Sequence, residues 1–261
     1  LVSLYGAVPL SWSLDHLGPM TRSVADAAIL LDVLAGHDPR DPRTRRGDVP
    51  AFRSALSNDV QGLRVGVVAD DGSGQPLATS EAVTAWQAGL QALAAAGATL
   101  VPLDLPELDD LRTLNSAIIA LEAGAYHEPM LRERLDDFGP YMRHRILAAY
   151  AYGPAALVRA QQARAAIRSR LDATFARVDL LSTPSMPYPA PALGDPARNT
   201  WFTAPFNALG WPASTVPVGR TPGPERLPLG LQLVGRPWDD ATVLRAAAVV
   251  EALGPWPGGR P

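Results

Sequence analysis

Between Gly62 and Pro106 the chain reads as strand, helix, strand, and this pattern most narrows its fold. GLRVGVVADD is a short Val-rich run bounded by turn residues, which is a strand pattern. A polar loop leads to a helical stretch from about Ser80 to Ala96, closed by Gly97, and ATLVPLDLP reads as a second strand. Two strands joined by one helix lie parallel when the helix crosses over a sheet face, and such crossovers are right-handed. A layered α/β/α architecture on a mixed central sheet is therefore expected.

The remaining elements extend that layering. In TRSVADAAILLDVLAG, Ser23 and Asp26 form a capping-box-like start, and Ala27, Leu30, Leu31 and Leu34 recur at helical spacing. Gly36 suits the position after the last turn, and a buried helix is expected there. Residues 107 to 178 read as mostly helical, with breaks near Phe138-Gly139-Pro140 and Gly153-Pro154. VDLLSTPSM, ASTVPVG and LGLQLVGR are strands, the last alternating as a half-buried strand would. TAPFNALGWP is a short helix or turn, and Asp240 to Leu253 a final amphipathic helix. No internal repeat and no long linker interrupts residues 1–261, so one domain is preferred to two.

Composition removes several function classes. The chain is 47% hydrophobic and 19% charged with net charge −3, so neither a nucleic-acid nor an anionic-membrane partner is implied. Cysteine is absent, which excludes disulfides, thiolate metal sites and a Cys nucleophile, and fits a cytoplasmic protein. All 23 basic residues are arginine. Arg stays protonated at working pH, so chemistry that needs a lysine base cannot be done by this chain alone. The first residues, LVSLYGAVPLSW, have neither an initiator Met nor a signal-peptide pattern and open inside a strand-like run, as if the beginning were missing. The four histidines, His16, His37, His127 and His144, show no metal-binding spacing, so no metal or cofactor is expected. LRVGVVADDGSG begins like a dinucleotide-binding turn, but Leu77 stands where the third Gly belongs. Glu122, Tyr126 and His127 lie on a helix, where a solvated face is expected over a cleft-facing one.

SWSLDHLGPM packs Ser13, Asp15 and His16 into four positions. In an extended strand neighbouring side chains diverge, so Asp15 could not easily orient the His16 ring. No G-x-S-x-G lies nearby. The expected reading is a strand end and turn, with Asp15 and His16 satisfying backbone groups.

The same stretch, SWSLDHLGPMTRSVADAAILLDVLAGHDPRDP, resembles a segment of the amidase signature family. Three later blocks resemble the family in the same order: VDLLSTPSMPYPAP, FTAPFNALGWPASTVPVG and LPLGLQLVGRPWDDATVLRAAAVVE, with Asp240 nearest the usual Glu of the last. The resemblance covers nearly the whole chain and is weakest from about 107 to 150. It implies a Ser nucleophile, a second Ser that relays a proton, a Lys base and a Gly/Ser-rich oxyanion loop. All of these would precede Leu1, and GSGQP at 72–76 lies beyond the matching region, so no catalytic residue is carried over.

A pocket wall is carried over instead. Arg164 matches an Arg that grips the substrate carboxylate in glutamine-using members, where a bidentate pair would serve; a solvated helix Arg is the equal alternative. Thr200 stands where those members carry an Asp for the substrate amine, and Leu14-Asp15-His16 fits the amidase variant, so a general amidase is favoured over a glutamine amidotransferase subunit. Trp201, Phe202, Thr203, Phe206 and Asn207 are candidate cleft residues, with core packing as their alternative. Asn207 is the best of them, since a polar group inside an apolar block needs a partner, which could equally be a backbone group.

The chain is thus expected to be the C-terminal portion of an amidase acting on a small-molecule amide, inactive alone and with a homodimer possible. The alternatives are a non-catalytic, ligand-binding family member and the glutamine amidotransferase subunit.

Overall fold

The computed structural model describes residues 1–57, 59–68, 78–195 and 200–254. The Leu77 position and GSGQP lie outside them.

Five strands form one mixed sheet in the order β2-β1-β3-β5-β4. They are β1 (Arg64–Val67), β2 (Thr99–Pro102), β3 (Leu180–Pro184), β4 (Ala213–Arg220) and β5 (Pro228–Gly235). The expected crossover unit is present: α3 (Ser80–Ala95) joins β1 to β2, which pair in parallel with Val65 opposite Leu100. β3 runs parallel to β1, whereas β5 runs antiparallel to both β3 and β4.

Helices cover both faces. α1 (Val24–Leu34), α3 and α8 (Asp240–Leu253) share one core with Leu180, Leu231 and Leu233. α4 (Glu107–Glu133), α6 (Ala156–Asp172) and α7 (Ala204–Leu209) share the other with Leu181 and Val234. Adjacent strand residues point to opposite faces, so Leu180 and Leu181 each serve a different core. α2 (Phe52–Ala55) is a single turn whose Phe52 joins the first core, and α5 (Pro140–Leu147) packs on α4. Gly89 lets α3 sit close on the sheet: a Cβ there would lie 2.7 Å from Val218 Cγ1.

The helix signals act as the residues suggest. Ser23 Oγ accepts the Asp26 N–H at 3.1 Å, which caps α1. The Glu251 carboxylate of α8 accepts the Val24 N–H at 3.0 Å, so two helices are tied end to side. Pro140 opens α5, and Gly210 ends α7 with φ 67°.

Two expectations differ. The helix read as buried, α1, hides only Val24, Ala28 and Leu31; Ile29, Leu30, Val33 and Leu34 are exposed. β5, read as half-buried, is buried continuously from Leu231 to Gly235. Its position between β3 and β4, with helices over both faces, leaves it no solvent side.

Candidate functional site

Residues Ser11 to His16 form a turn. The Leu14 and Asp15 N–H groups donate to Ser11 O at 3.2 and 2.9 Å. The Asp15 carboxylate accepts from the Leu10 and Ser11 N–H groups at 2.8 and 3.1 Å. It is spent on backbone, as expected, and holds the turn closed as an Asx-type motif does. His16 Nδ1 lies 2.7 Å from Leu14 O, and Ser13 Oγ is held by other elements. The three residue types are adjacent in sequence and do not form a proton relay.

Helices α4, α6 and α7 converge on this turn. From α4, Glu122 Oε2 accepts from Ser11 Oγ at 2.5 Å and from the Ser13 N–H at 2.9 Å. Glu122 thus faces inward, not onto the solvated side expected of it, because the turn supplies donors that no solvent-facing position would. Its helix neighbour His127 is buried against Phe138, with Nε2 3.0 Å from Pro9 O. From α6, Gln161 and Arg164 share a face at i, i+3. Gln161 Nε2 donates to Ser13 Oγ at 3.1 Å and to Glu122 Oε1 at 3.2 Å. Arg164 Nη1 donates to Ser13 Oγ at 3.2 Å and Gln161 Oε1 at 3.3 Å, Nη2 donates to Ser13 O, and Nε donates to Ala208 O. The last contact sets a cation at the carboxyl end of α7, where backbone carbonyls are unpaired. Burial pushes the Arg164 guanidinium below its usual pKa, and the Glu122 charge opposes that shift.

From α7, Asn207 Nδ2 donates to Leu14 O at 2.6 Å and lies 3.0 Å from His16 Nδ1. Its Oδ1 accepts from Asn115 Nδ2 of α4 at 2.8 Å. An amide nitrogen only donates, so a neutral His16 ring accepts from Asn207 at Nδ1 in the tautomer that carries its proton on Nε2, whereas a proton on Nδ1 is donated to Leu14 O. Burial pushes the His16 pKa below its ordinary value, which favours that neutral ring.

The aromatic block divides. Trp201 is 37% exposed and its ring lies 4.0 Å beneath the Arg112 guanidinium, a cation–π distance. Thr203 is exposed at the start of α7, its N–H donating to Thr200 O at 3.1 Å. Phe202 and Phe206 are buried, and Phe206 stacks with Trp211 at 6.4 Å. Two strand residues hold this block. Gln232 Nε2 donates both to Thr183 Oγ1 at 3.0 Å and to Phe202 O at 2.8 Å. At the opposite end of the same strand pair the Asp179 carboxylate accepts from Arg64 and Arg236, each at 3.0 Å.

So Arg164 and Asn207 meet on one turn, Trp201 and Thr203 reach the surface, and Phe206 turns inward. Asn115, Glu122 and Gln161 complete the cluster; Asn115 and Gln161 were not singled out in the sequence, and Glu122 was given a solvated face. The available signal was the seven-residue spacing of Asn115 and Glu122, which sets both on one face of α4. A small surface pocket lies elsewhere, between Leu1, Gly36, Arg45, Val49 and Trp238. Among the described residues no cluster of His, Asp or Glu could hold a metal ion, and no helix is long and apolar enough to cross a membrane.

The chain is similar to known proteins over most of its length. A family model described as Amidase matches residues 1–244. The A-type subunit of glutamyl-tRNA(Gln) amidotransferase from Chloroflexus aurantiacus is 36% identical over 293 aligned residues, covering 100% of this chain and 58% of that protein. Among solved structures, one described as a vestigial protein complex that reveals the origins of an s-triazine catabolic enzyme superposes with a TM-score of 0.86. It is 29% identical, over 96% of this chain and 56% of the other. A crystal structure of an amidase gives a TM-score of 0.80 at 32% identity, over 97% of this chain and 56% of the other. The chain therefore spans a little over half the length of the relatives it matches. With four blocks in order, the same layered fold and a family match over nearly the whole chain, this protein belongs to the amidase family, the group that carries the amidase signature.

Proposed function

We propose that the protein to which these residues belong hydrolyses a small carboxamide to an acid and ammonia or an amine through a Ser acyl-enzyme. In this reading the chain supplies part of one amidase-signature domain: a portion of the sheet, its outer helices and one wall of the pocket. The family match over residues 1–244 carries the reading. A lysine base must come from outside the chain, because all 23 of its basic residues are arginine. The chain alone is then inactive, a cytoplasmic protein portion without its nucleophile.

Within the wall, Trp201 and Thr203 contact the substrate from the exposed start of α7. Arg164 and Asn207 hold that wall in register with the Ser13–Leu14 turn, and Phe206 anchors it in the core. A guanidinium committed to Ser13, Gln161 and Ala208 has little donor capacity left for a bidentate carboxylate. Thr200 offers no charge to a substrate amine. Both features favour a neutral amide over glutamine.

A second reading, a subunit of a glutamine-using amidotransferase, draws on the 36% identity to the Chloroflexus protein. One experiment separates the readings: express the reading frame upstream of Leu1 joined to this chain, and assay neutral amides and glutamine. Hydrolysis of neutral amides by the extended protein and none by the 261-residue chain is the expected result. Turnover by the chain alone overturns the proposal, and glutamine use that needs a partner subunit favours the second reading. An upstream stop codon, with a well-folded product that binds amides without turnover, would make the protein a binding member of the family.

A further inference from the structure

One carboxylate joins the opening turn to the helical layer. Glu122, on α4, receives three donors from two other segments: Ser11 Oγ at 2.5 Å, the Ser13 N–H at 2.9 Å and Gln161 Nε2 at 3.2 Å. Among the described residues neither Glu122 nor Gln161 has a hydrogen bond to α7, yet two routes run from Glu122 to that helix. One passes through Gln161 and Arg164 to Ala208 O; the other passes through the turn and Leu14 O to Asn207.

We propose that Glu122 is a positioning residue, whose carboxylate sets where the Ser11–His16 turn and the Arg164 guanidinium stand relative to α7. The donor and acceptor inventory makes it the reference point. An ionised carboxylate only accepts and a guanidinium only donates, so an amide between them has one satisfactory orientation. Gln161 adopts it, with Nε2 toward Glu122 and Oε1 toward Arg164. Reversing that amide would set oxygen against carboxylate and nitrogen against guanidinium. Ser13 is fixed at three atoms: its N–H by Glu122, its Oγ by Gln161 and Arg164, and its carbonyl by Arg164. The inference rests on the pocket-wall reading only for its consequence in turnover; the contacts themselves belong to this chain.

The test uses the full 261-residue chain and needs no amide substrate, so its failure is distinct from failure of the amidase reading. Histidine titrations are followed by NMR, with far-UV circular dichroism as the check of folding. Glu122→Gln keeps one oxygen for Ser11 and Ser13 but sets an NH2 group against that of Gln161. The expected result is a folded protein in which His16, at the far end of the turn beside Asp15 and Arg164, titrates at higher pH as the turn takes up water. Adding Gln161→Glu exchanges donor and acceptor across the pair and should return His16 to its original titration, a rescue that general loosening would not produce. If Glu122→Gln fails to fold, Ser11→Ala removes one of the three donors, keeps the carboxylate, and should give a smaller upward shift. An unmoved His16 in the folded single variant, or no recovery in the double variant, would overturn the proposal.

Discussion

At the residue scale the unusual contact is His16 with Asn207. His16 Nδ1 faces a donor-only nitrogen at 3.0 Å and an acceptor-only carbonyl at 2.7 Å. A neutral ring with its proton on Nε2 satisfies the first; a proton on Nδ1, in the other neutral tautomer or in the protonated ring, satisfies the second. Burial holds the pKa below the ordinary 6.5, so the unfolded chain takes up a proton before the folded one does. The stability linked to His16 is therefore complete above about pH 6.5 and declines as the pH falls from there toward the folded value. Denaturant midpoints at pH 7.5 and 5.5 should fall with acidification in the parent chain, and less in His16→Asn. Asn207→Asp tests the same geometry with the sign reversed. At pH 8 it removes the donor to Leu14 O and should cost about 1–3 kcal/mol. It also sets a carboxylate beside Nδ1, so acidification should strengthen this variant. A variant that weakens on acidification as the parent does would show that Asn207 and His16 are not in contact. Little of this was legible in sequence. Asn207 stood out as a polar residue in an apolar block, and a backbone partner was one of the two readings open to it. That the partner is Leu14, nearly two hundred positions away, is a product of the fold.

At the scale of elements, two of the blocks that mark the family acquire a physical reason from the antiparallel pairing of β3 with β5. The register sets Thr183 opposite Gln232, and their side chains bond at 3.0 Å. Arg236, just past the end of β5, reaches Asp179, just before β3. These residues were readable as strand motifs but not as pairs, because local patterns carry no strand order. The same blindness explains β5, where alternation suggested a wet face that the neighbouring strands and both helical layers remove. Gln232→Leu keeps the volume and removes the donor. It leaves Phe202 O without that partner inside the core, at about 1–3 kcal/mol, while Thr183 Oγ1 keeps its bond to Pro184 O at 2.9 Å. A fall in the thermal midpoint is expected. Unchanged stability would mean that the strand pairing alone fixes the α7 approach.

At the scale of the molecule, the sheet is closed on both faces while α1 is not. Ile29, Leu30, Val33 and Leu34 lie on its outer side, with Val33 77% exposed. A helix that is apolar all round is stable in water only when both sides are covered. The periodicity of α1 identified a helix but not how many of its sides the described residues would cover, which depends on how much of the family's fold is at hand. Apolar side chains in contiguous exposure favour self-association, and the effect scales with the area removed from water. The isolated chain should therefore sediment as concentration-dependent oligomers. Val33→Lys should shift it toward monomer with little change in thermal midpoint, since Val33 is not among the residues that α1 buries. Leu31→Lys, on the buried side, should instead unfold the region, which separates surface attraction from loss of core. If Val33→Lys leaves the sedimentation profile unchanged, association proceeds through another face, and strand β4, at the sheet edge among the described residues, is then the place to test, because an edge strand can pair with a further strand.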